Sequence, residues 1–130
     1  MNFFNKNNYT LAIGSLFGLT AVLFGAFGSH VLANIFDTTQ MSIFDTATQY
    51  QMYHALVLCI IGFYMLHNDS KYLKCASISF IIGILGFSFS LYLYLALNIT
   101  LIAIITPIGG SFLILGWICL FFFAISFKKV

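Results

Sequence analysis

The chain has 130 residues, of which 62% are hydrophobic and 6% are charged, and its net charge is +2. Soluble domains carry about 25% charged residues, so this composition excludes an ordinary water-soluble protein. Charge this sparse also excludes a nucleic-acid-binding surface. We therefore expect one integral membrane domain, residues 1–130, that has the lipid bilayer as its surroundings and no nucleic-acid partner.

Four apolar stretches follow one another along the chain, separated by short polar breaks. A helix needs roughly 20 apolar residues to cross the hydrocarbon core of a bilayer. The first stretch follows Lys6 and could instead be a signal peptide, but it is longer than the usual apolar core of about 7–15 residues. The predicted fold class is an all-α, four-helix transmembrane bundle with helices at about residues 9–30, 45–67, 73–97 and 100–127.

The lysines orient this predicted bundle. Four crossings place the N-terminus, the middle break and the C-terminus on one side of the membrane, and cytoplasmic segments retain lysine. We therefore expect both termini in the cytoplasm and the protein in the bacterial plasma (inner) membrane. The lysines, all of which fall in those three segments, are Lys6, Lys71, Lys74, Lys128 and Lys129.

Small residues recur every three or four positions along the first and third predicted helices. Such stripes let helix backbones approach closely in lipid. The two stripes either face each other or contact separate neighbours. The residues predicted to serve helix packing, including two from the fourth helix, are Gly14, Gly18, Gly25, Gly28, Gly83, Gly86, Pro107 and Gly110.

The second predicted helix carries a polar stretch near its start. At 100° per residue, Tyr50 and His54 share one face, Gln51 flanks that face, and Thr48 points away from it. Polar groups in hydrocarbon are costly unless they have partners, so this face should look into the bundle. Asp45 is expected to cap the helix, because a carboxylate favours a helix N-terminus.

The fourth predicted helix contains a proline close to its beginning. Proline lacks a backbone N–H and frees the carbonyl four residues earlier. One interpretation is a kinked helix that starts near Thr100. The other is a helix that starts at Pro107 with Thr106 as its N-cap.

Helical rise brings several polar residues to one depth. At about 1.5 Å per residue, His54 lies about 20 Å above the cytoplasmic end of its helix, in the outer third of a core roughly 30 Å thick. Two interpretations of His54 stay open: a neutral packing histidine or a functional group. The predicted members of this polar layer are Gln51, His54, Ser88, Tyr92 and Thr106.

Ligand patterns for metals and cofactors are missing from the sequence. His30 ends the first predicted helix, on the order of 10 Å above His54, which is too far for two ligands of one zinc ion. We expect no metal, no cofactor and, without a nucleophile beside a base, no enzyme. The chain has three cysteines, Cys59, Cys75 and Cys119. Their odd number argues against a disulfide framework, and we expect them to be buried apolar residues.

Four sequence blocks, one in each predicted helix, resemble one protein family. They are Gly25–His30, Tyr50–Leu56, Gly86–Tyr92, and Ile105–Gly110 followed by Gly116 and Trp117. With these blocks the chain resembles, over nearly its whole length, the domain of unknown function 423 family. That family is also called uncharacterised protein family 0382 and includes the eukaryotic transmembrane protein 256. The resemblance implies a small multi-spanning membrane protein and no catalytic residue or cofactor. A basic residue expected before the last block is absent here.

Two functions are compatible with these features. The first is a non-enzymatic membrane component whose polar layer specifies packing or an interface with a second copy or another membrane protein. The alternative is binding or transport of a small solute or ion, since polar residues at one depth and a proline-broken helix occur in transporters. Four helices form a narrow bundle, so passage would require an oligomer.

Overall fold

The computed structural model describes residues 8–126, and every regular element in that range is helical. The all-α prediction is therefore confirmed for this part of the chain. Lys6, Lys128, Lys129 and both termini lie outside the described residues. In chain order the elements are α1 (Asn8–His30), a 3₁₀ turn (Leu32–Asn34), α2 (Thr38–Met65), α3 (Lys71–Ile84), a π-helical segment (Leu85–Phe89), α4 (Ser90–Leu97), a second 3₁₀ turn (Thr100–Ile104) and α5 (Ile105–Ser126).

Three helical stretches in the described range are long and apolar enough to cross a membrane. They are Tyr9–Asn34, Lys71–Leu97 and Thr100–Ser126, each 26 or 27 residues long. α2 has the length but is more polar than these three. Large hydrophobic side chains face outward on every long helix, as expected where lipid replaces water. Examples are Leu16, Ile60, Ile78, Ile114 and Phe121.

α2 begins earlier than the sequence pattern indicates. Its N-cap is Asp37, whose side chain accepts a hydrogen bond from the Gln40 backbone N–H at 2.8 Å, while the Gln40 side chain accepts from the Asp37 N–H at 3.1 Å. This is a capping box. The predicted start at residue 45 and the predicted cap at Asp45 are wrong. Asp45 is a solvent-accessible residue beyond the first turn of α2, and not at the helix start. The prediction fails because the first turns of α2 are polar and precede the apolar run on which it was based.

The predicted third helix contains a π-helical interruption. α3, the π-helical segment and α4 form one continuous helical stretch, within which Leu85–Phe89 carries the wider turn. Such single turns insert an extra residue and shift the faces of the helix on either side of it. α4 ends at Leu97 and is capped by Asn98, which has a left-handed backbone (φ 52°) and donates its N–H to the Tyr94 carbonyl.

The start of α5 differs from both interpretations of Pro107. The helical stretch begins near Thr100, as the first interpretation states, but its first five residues form a 3₁₀ turn. The α-helix starts at Ile105, so Pro107 lies in its first turn, where a missing N–H leaves no intrahelical bond unmade. Thr106 lies inside the helix and does not cap it.

The helices pack as two hairpins. α1 packs along α2, α3 packs along α5, and the hairpins meet where α2 contacts α3, the π-helical segment and α4. The two small-residue stripes therefore contact separate neighbours. The largest fully buried apolar side chains of the described range, Leu58, Phe80 and Ile84, lie in one core cluster around the junction of the hairpins.

Close backbone approach occurs at some predicted glycines and not at others. A Cβ added to Gly14 would lie 2.9 Å from the Cys59 nitrogen, and one added to Gly86 would lie 2.8 Å from the Gly109 Cα. Gly28 and Gly83 are similarly crowded, by Phe44 and Leu113. Gly18, Gly25 and Gly110 have ordinary space around them, and Pro107 is exposed. Crowded glycines absent from the predicted set are Gly62, Gly109 and Gly116.

Candidate functional site

Gln51 connects three helices through one buried side-chain amide. Its Nε2 donates to the Phe17 carbonyl at 2.9 Å and to Thr20 Oγ1 at 2.7 Å, both on α1. Its Oε1 accepts from the Tyr92 hydroxyl of α4 at 2.8 Å. A backbone carbonyl can only accept, which assigns the nitrogen to that side of the amide. Gln51 is 0% exposed, and all three partners lie on other helices.

Thr48 belongs to the same group of polar contacts. Its hydroxyl donates to the Phe44 carbonyl at 2.8 Å and lies 3.4 Å from the Tyr92 hydroxyl. The expectation that Thr48 points away from the interior is therefore wrong. Phe24 and Phe44 pack their rings against Tyr92 and surround this contact with apolar surface. We call the group the Gln51 network, defined as Thr20, Thr48, Gln51 and Tyr92.

His54 connects α2 to α5 and has both ring nitrogens engaged. Trp117 Nε1 donates to His54 Nε2 at 3.2 Å, and His54 Nδ1 lies 2.7 Å from the Tyr50 carbonyl. The indole N–H only donates and the carbonyl only accepts, so Nε2 carries the lone pair and Nδ1 carries the proton. The imidazole is therefore neutral, and it packs against the ring of Phe80.

Thr106 pairs with a serine rather than with His54. Its Oγ1 lies 2.7 Å from Ser90 Oγ, and Ser90 donates its own proton to the Phe87 carbonyl at 2.8 Å. Thr106 therefore donates to Ser90, which joins α5 to α4. Ser90 is 3% exposed and is not a member of the predicted polar layer.

Ser88 has a buried hydroxyl that makes no hydrogen bond with any residue of the described range. It is 0% exposed and lies in the π-helical segment. Because an unpaired buried hydroxyl costs about 1–3 kcal/mol, Ser88 is unlike the bonded members of the predicted layer. The predicted polar layer therefore separates into three bonded groups, the Gln51 network, His54 with Trp117, and Thr106 with Ser90, and leaves Ser88 outside all of them.

Comparison with known proteins identifies the family. The family model described as "Protein of unknown function (DUF423)" matches residues 24–110, which include every predicted member of the polar layer. The chain belongs to the DUF423 family. A UPF0382 membrane protein of Haemophilus influenzae is 36% identical over 125 residues, covering 96% of this chain and 99% of that protein.

Two further relatives extend this comparison. The UPF0382 membrane protein SAB0533 of Staphylococcus aureus is 40% identical over 110 residues, covering 85% of this chain and 89% of its own. The UPF0382 inner membrane protein YgdD of Escherichia coli is 29% identical over 123 residues, covering 95% and 94%. No solved structure matches the chain. These names and the membrane-crossing helices confirm that this DUF423 member is a membrane protein, and the YgdD name agrees with the predicted inner-membrane location.

The bonding partners Thr20, Ser90 and Trp117 are absent from the predicted polar layer. Trp117 follows Gly116 in a family-like block, and its indole N–H needs an acceptor when it lies against other helices. The sequence therefore indicates that Trp117 needs a hydrogen-bond acceptor, but it does not indicate which acceptor that is. No group of three or more His, Cys, Asp or Glu side chains within residues 8–126 is arranged to hold a metal ion.

Proposed function

We propose that this DUF423 member is a non-enzymatic component of the inner membrane whose buried polar side chains specify helix packing. The Gln51 network is the main support for this proposal. The Gln51 amide donates hydrogen bonds to α1 and accepts one from α4, so a single side chain joins α2 to two neighbouring helices. Interhelical hydrogen bonds of this kind hold membrane helices in register. The neutral His54 supports the same role, because both of its ring nitrogens form hydrogen bonds, one with the Tyr50 carbonyl and one with the Trp117 indole.

The proposal includes four membrane crossings with both termini in the cytoplasm. α2 falls below the hydropathy of the other three stretches partly because of Gln51 and His54, yet these two side chains are 0% and 5% exposed and do not meet lipid. At about 1.5 Å per residue its 28 residues extend about 42 Å, enough to cross a core of roughly 30 Å and project beyond it. Lys71 and Lys74 lie in the first turn of α3, at the end of the bundle where the proposal places the cytoplasm.

The surroundings of the bundle complete the proposal. The outward-facing hydrophobic side chains suit contact with lipid tails or with a second copy or another membrane protein. Binding or transport of a small solute or ion has less support, because Gln51 and His54 already use their polar atoms on partners within the protein. Ser88 alone among the predicted layer offers an unbonded hydroxyl, and it is fully enclosed.

Replacing Gln51→Leu tests the packing role. Interhelical hydrogen bonds in membranes average about 0.6 kcal/mol, so the loss of three should lower the free energy of unfolding by about 2 kcal/mol. Unfolding in detergent can be followed by the fluorescence of Trp117, the single tryptophan of the chain. Gln49→Leu, an exposed position on the same helix, is the matched control and should change stability by less than about 0.5 kcal/mol. Equal stability of the two variants would refute the packing role.

A further inference from the structure

Two cysteine side chains meet where α3 packs against α5. The Sγ atoms of Cys75 and Cys119 lie 2.8 Å apart, although 44 positions separate them in the chain. Cys119 is 7% exposed, whereas Cys75 is exposed on the outer surface of α3. The expectation that all three cysteines are buried is therefore wrong for Cys75 and only partly met by Cys59, which is half-buried.

The helix pair itself brings these thiols together. The ring of Phe80 occupies the space that a Cβ of Gly116 would need, and Ala76 beside Cys75 is 0% exposed. The absence of a side chain at Gly116 thus makes room for the Phe80 ring of α3 beside the place where the two cysteines face each other. The contact depends on regular helix packing and involves no loop. Cys59 lies on α2, where its nearest polar neighbour is Ser15 at 3.8 Å.

We propose that Cys75 and Cys119 are a reversible dithiol pair that closes to an interhelical disulfide with a lipid-soluble quinone as oxidant. Both S–H bonds break and one S–S bond forms, while the two electrons and two protons reduce the quinone to a quinol. A disulfide requires about 2.05 Å between sulfurs, so the pair closes by a movement of about 0.8 Å. A shared metal ion needs about 2.3 Å from each sulfur to the ion, which would force the sulfurs apart.

The position of the pair fits an oxidant dissolved in the membrane. Cys75 lies one helical turn after Lys71 and is exposed on the surface of α3, so a quinone reaches it from the lipid side. Under the proposed topology this end of α3 faces the cytoplasm, where thiols are kept reduced. The dithiol is then the resting form, and closure ties α3 covalently to α5 when oxidised quinone accumulates.

Thiol counting on the full chain in membranes tests the pair. Membranes are treated with a fully substituted ubiquinone analogue or with diamide, denatured, and labelled with polyethylene-glycol maleimide, which adds one mass step per free thiol. The wild type has three cysteines and should fall from three adducts to one, and dithiothreitol should restore all three. The Cys59→Ser variant should fall from two adducts to none, and the Cys75→Ser variant should keep two.

Three results would overturn parts of this proposal. Three adducts on the wild type after both oxidants would exclude the pair. Loss of thiols in Cys75→Ser to the same extent as in the wild type would show that a different pair reacts. Closure with diamide but not with the ubiquinone analogue would exclude the quinone as electron acceptor. The count is independent of helix stability, so it separates this proposal from the packing role of Gln51.

Discussion

At the scale of single residues, several buried polar side chains form hydrogen-bonded groups that join different helices. Gln51 is the clearest example, because its amide is satisfied only when α1 and α4 are both in place. His54 shows a second way to tolerate a titratable group in lipid: a neutral tautomer is held between the Tyr50 carbonyl and the Trp117 indole. Both residues have their polar atoms bonded within the protein, and His54 also lines an open cavity with Tyr50 and Trp117.

The His54–Trp117 contact yields a residue-scale prediction. Trp117→Phe keeps a ring on α5 but removes the donor, so the free energy of unfolding should fall by about 1 kcal/mol. A double-mutant cycle with His54→Phe, followed by circular dichroism in detergent, should give a coupling energy of about 0.5–1.5 kcal/mol. Additive effects of the two substitutions would show that the hydrogen bond makes no contribution to stability.

At the scale of elements, glycines stabilise the helix pair inside each hairpin, because each of them faces the partner helix of its own hairpin. α1 meets α2 at Gly14 and Gly62, where an added Cβ would reach the backbone of Cys59 or Leu11. α3 and the π-helical segment meet α5 in the same way at Gly86 and Gly109. Since these are backbone contacts, an added side chain could not be accommodated by rotating a neighbouring side chain.

Adjacent glycines of α5 provide a matched test of this view. A Cβ on Gly109 would overlap the backbone of Gly86 and Phe87, so Gly109→Ala should lower the free energy of unfolding by about 1–3 kcal/mol or more. A Cβ on Gly110 would lie 3.6 Å from the Phe87 ring, an ordinary contact. Gly110→Ala should therefore be neutral or slightly stabilising, because alanine favours helix more than glycine. Thermal unfolding in detergent should separate the two variants, and equal midpoints would contradict the close contact.

The start of α2 gives a second element-scale prediction. Asp37→Ala removes the side-chain half of the capping box and should cost about 1 kcal/mol of stability. Asp45→Ala removes an exposed carboxylate from within the helix and should change stability by less than about 0.5 kcal/mol. Amide hydrogen exchange of the first turn of α2 should accelerate in the first variant only. Faster exchange in Asp45→Ala would instead indicate that Asp45 caps the helix.

At the scale of the whole molecule, the proposed orientation makes opposite faces of the bundle chemically distinguishable. In a cysteine-free background, Thr39→Cys lies at the outer end of α2 and Asn68→Cys lies in the turn before α3. A membrane-impermeant maleimide should label the first variant in intact cells and the second only after the membrane is permeabilised. Labelling in the reverse order would place the termini outside and invalidate the assignment from lysines.

Much of this molecule follows from composition and spacing. Apolar length predicts the helices, and the three- and four-residue spacing of small residues predicts close contacts at Gly14, Gly28, Gly83 and Gly86, because helix periodicity is a local property of the chain. The spacing of Asp37 and Gln40 is typical of a capping box and also indicates where α2 starts. Hydropathy alone places that start later, because the first turns of α2 are polar.

Other features depend on which helices become neighbours. The hydrogen bond from Trp117 to His54 spans 63 positions, and the contact between Gly86 and Gly109 joins two helices across a polar turn. Ser88 lies in the π-helical segment and bonds to none of the groups that helical depth alone would have united with it. Sequence alone therefore determined an all-helical membrane protein and the set of candidate polar residues. Tertiary structure decided which of them bond, because a hydrogen bond depends on the rotation of each helix as well as on its height.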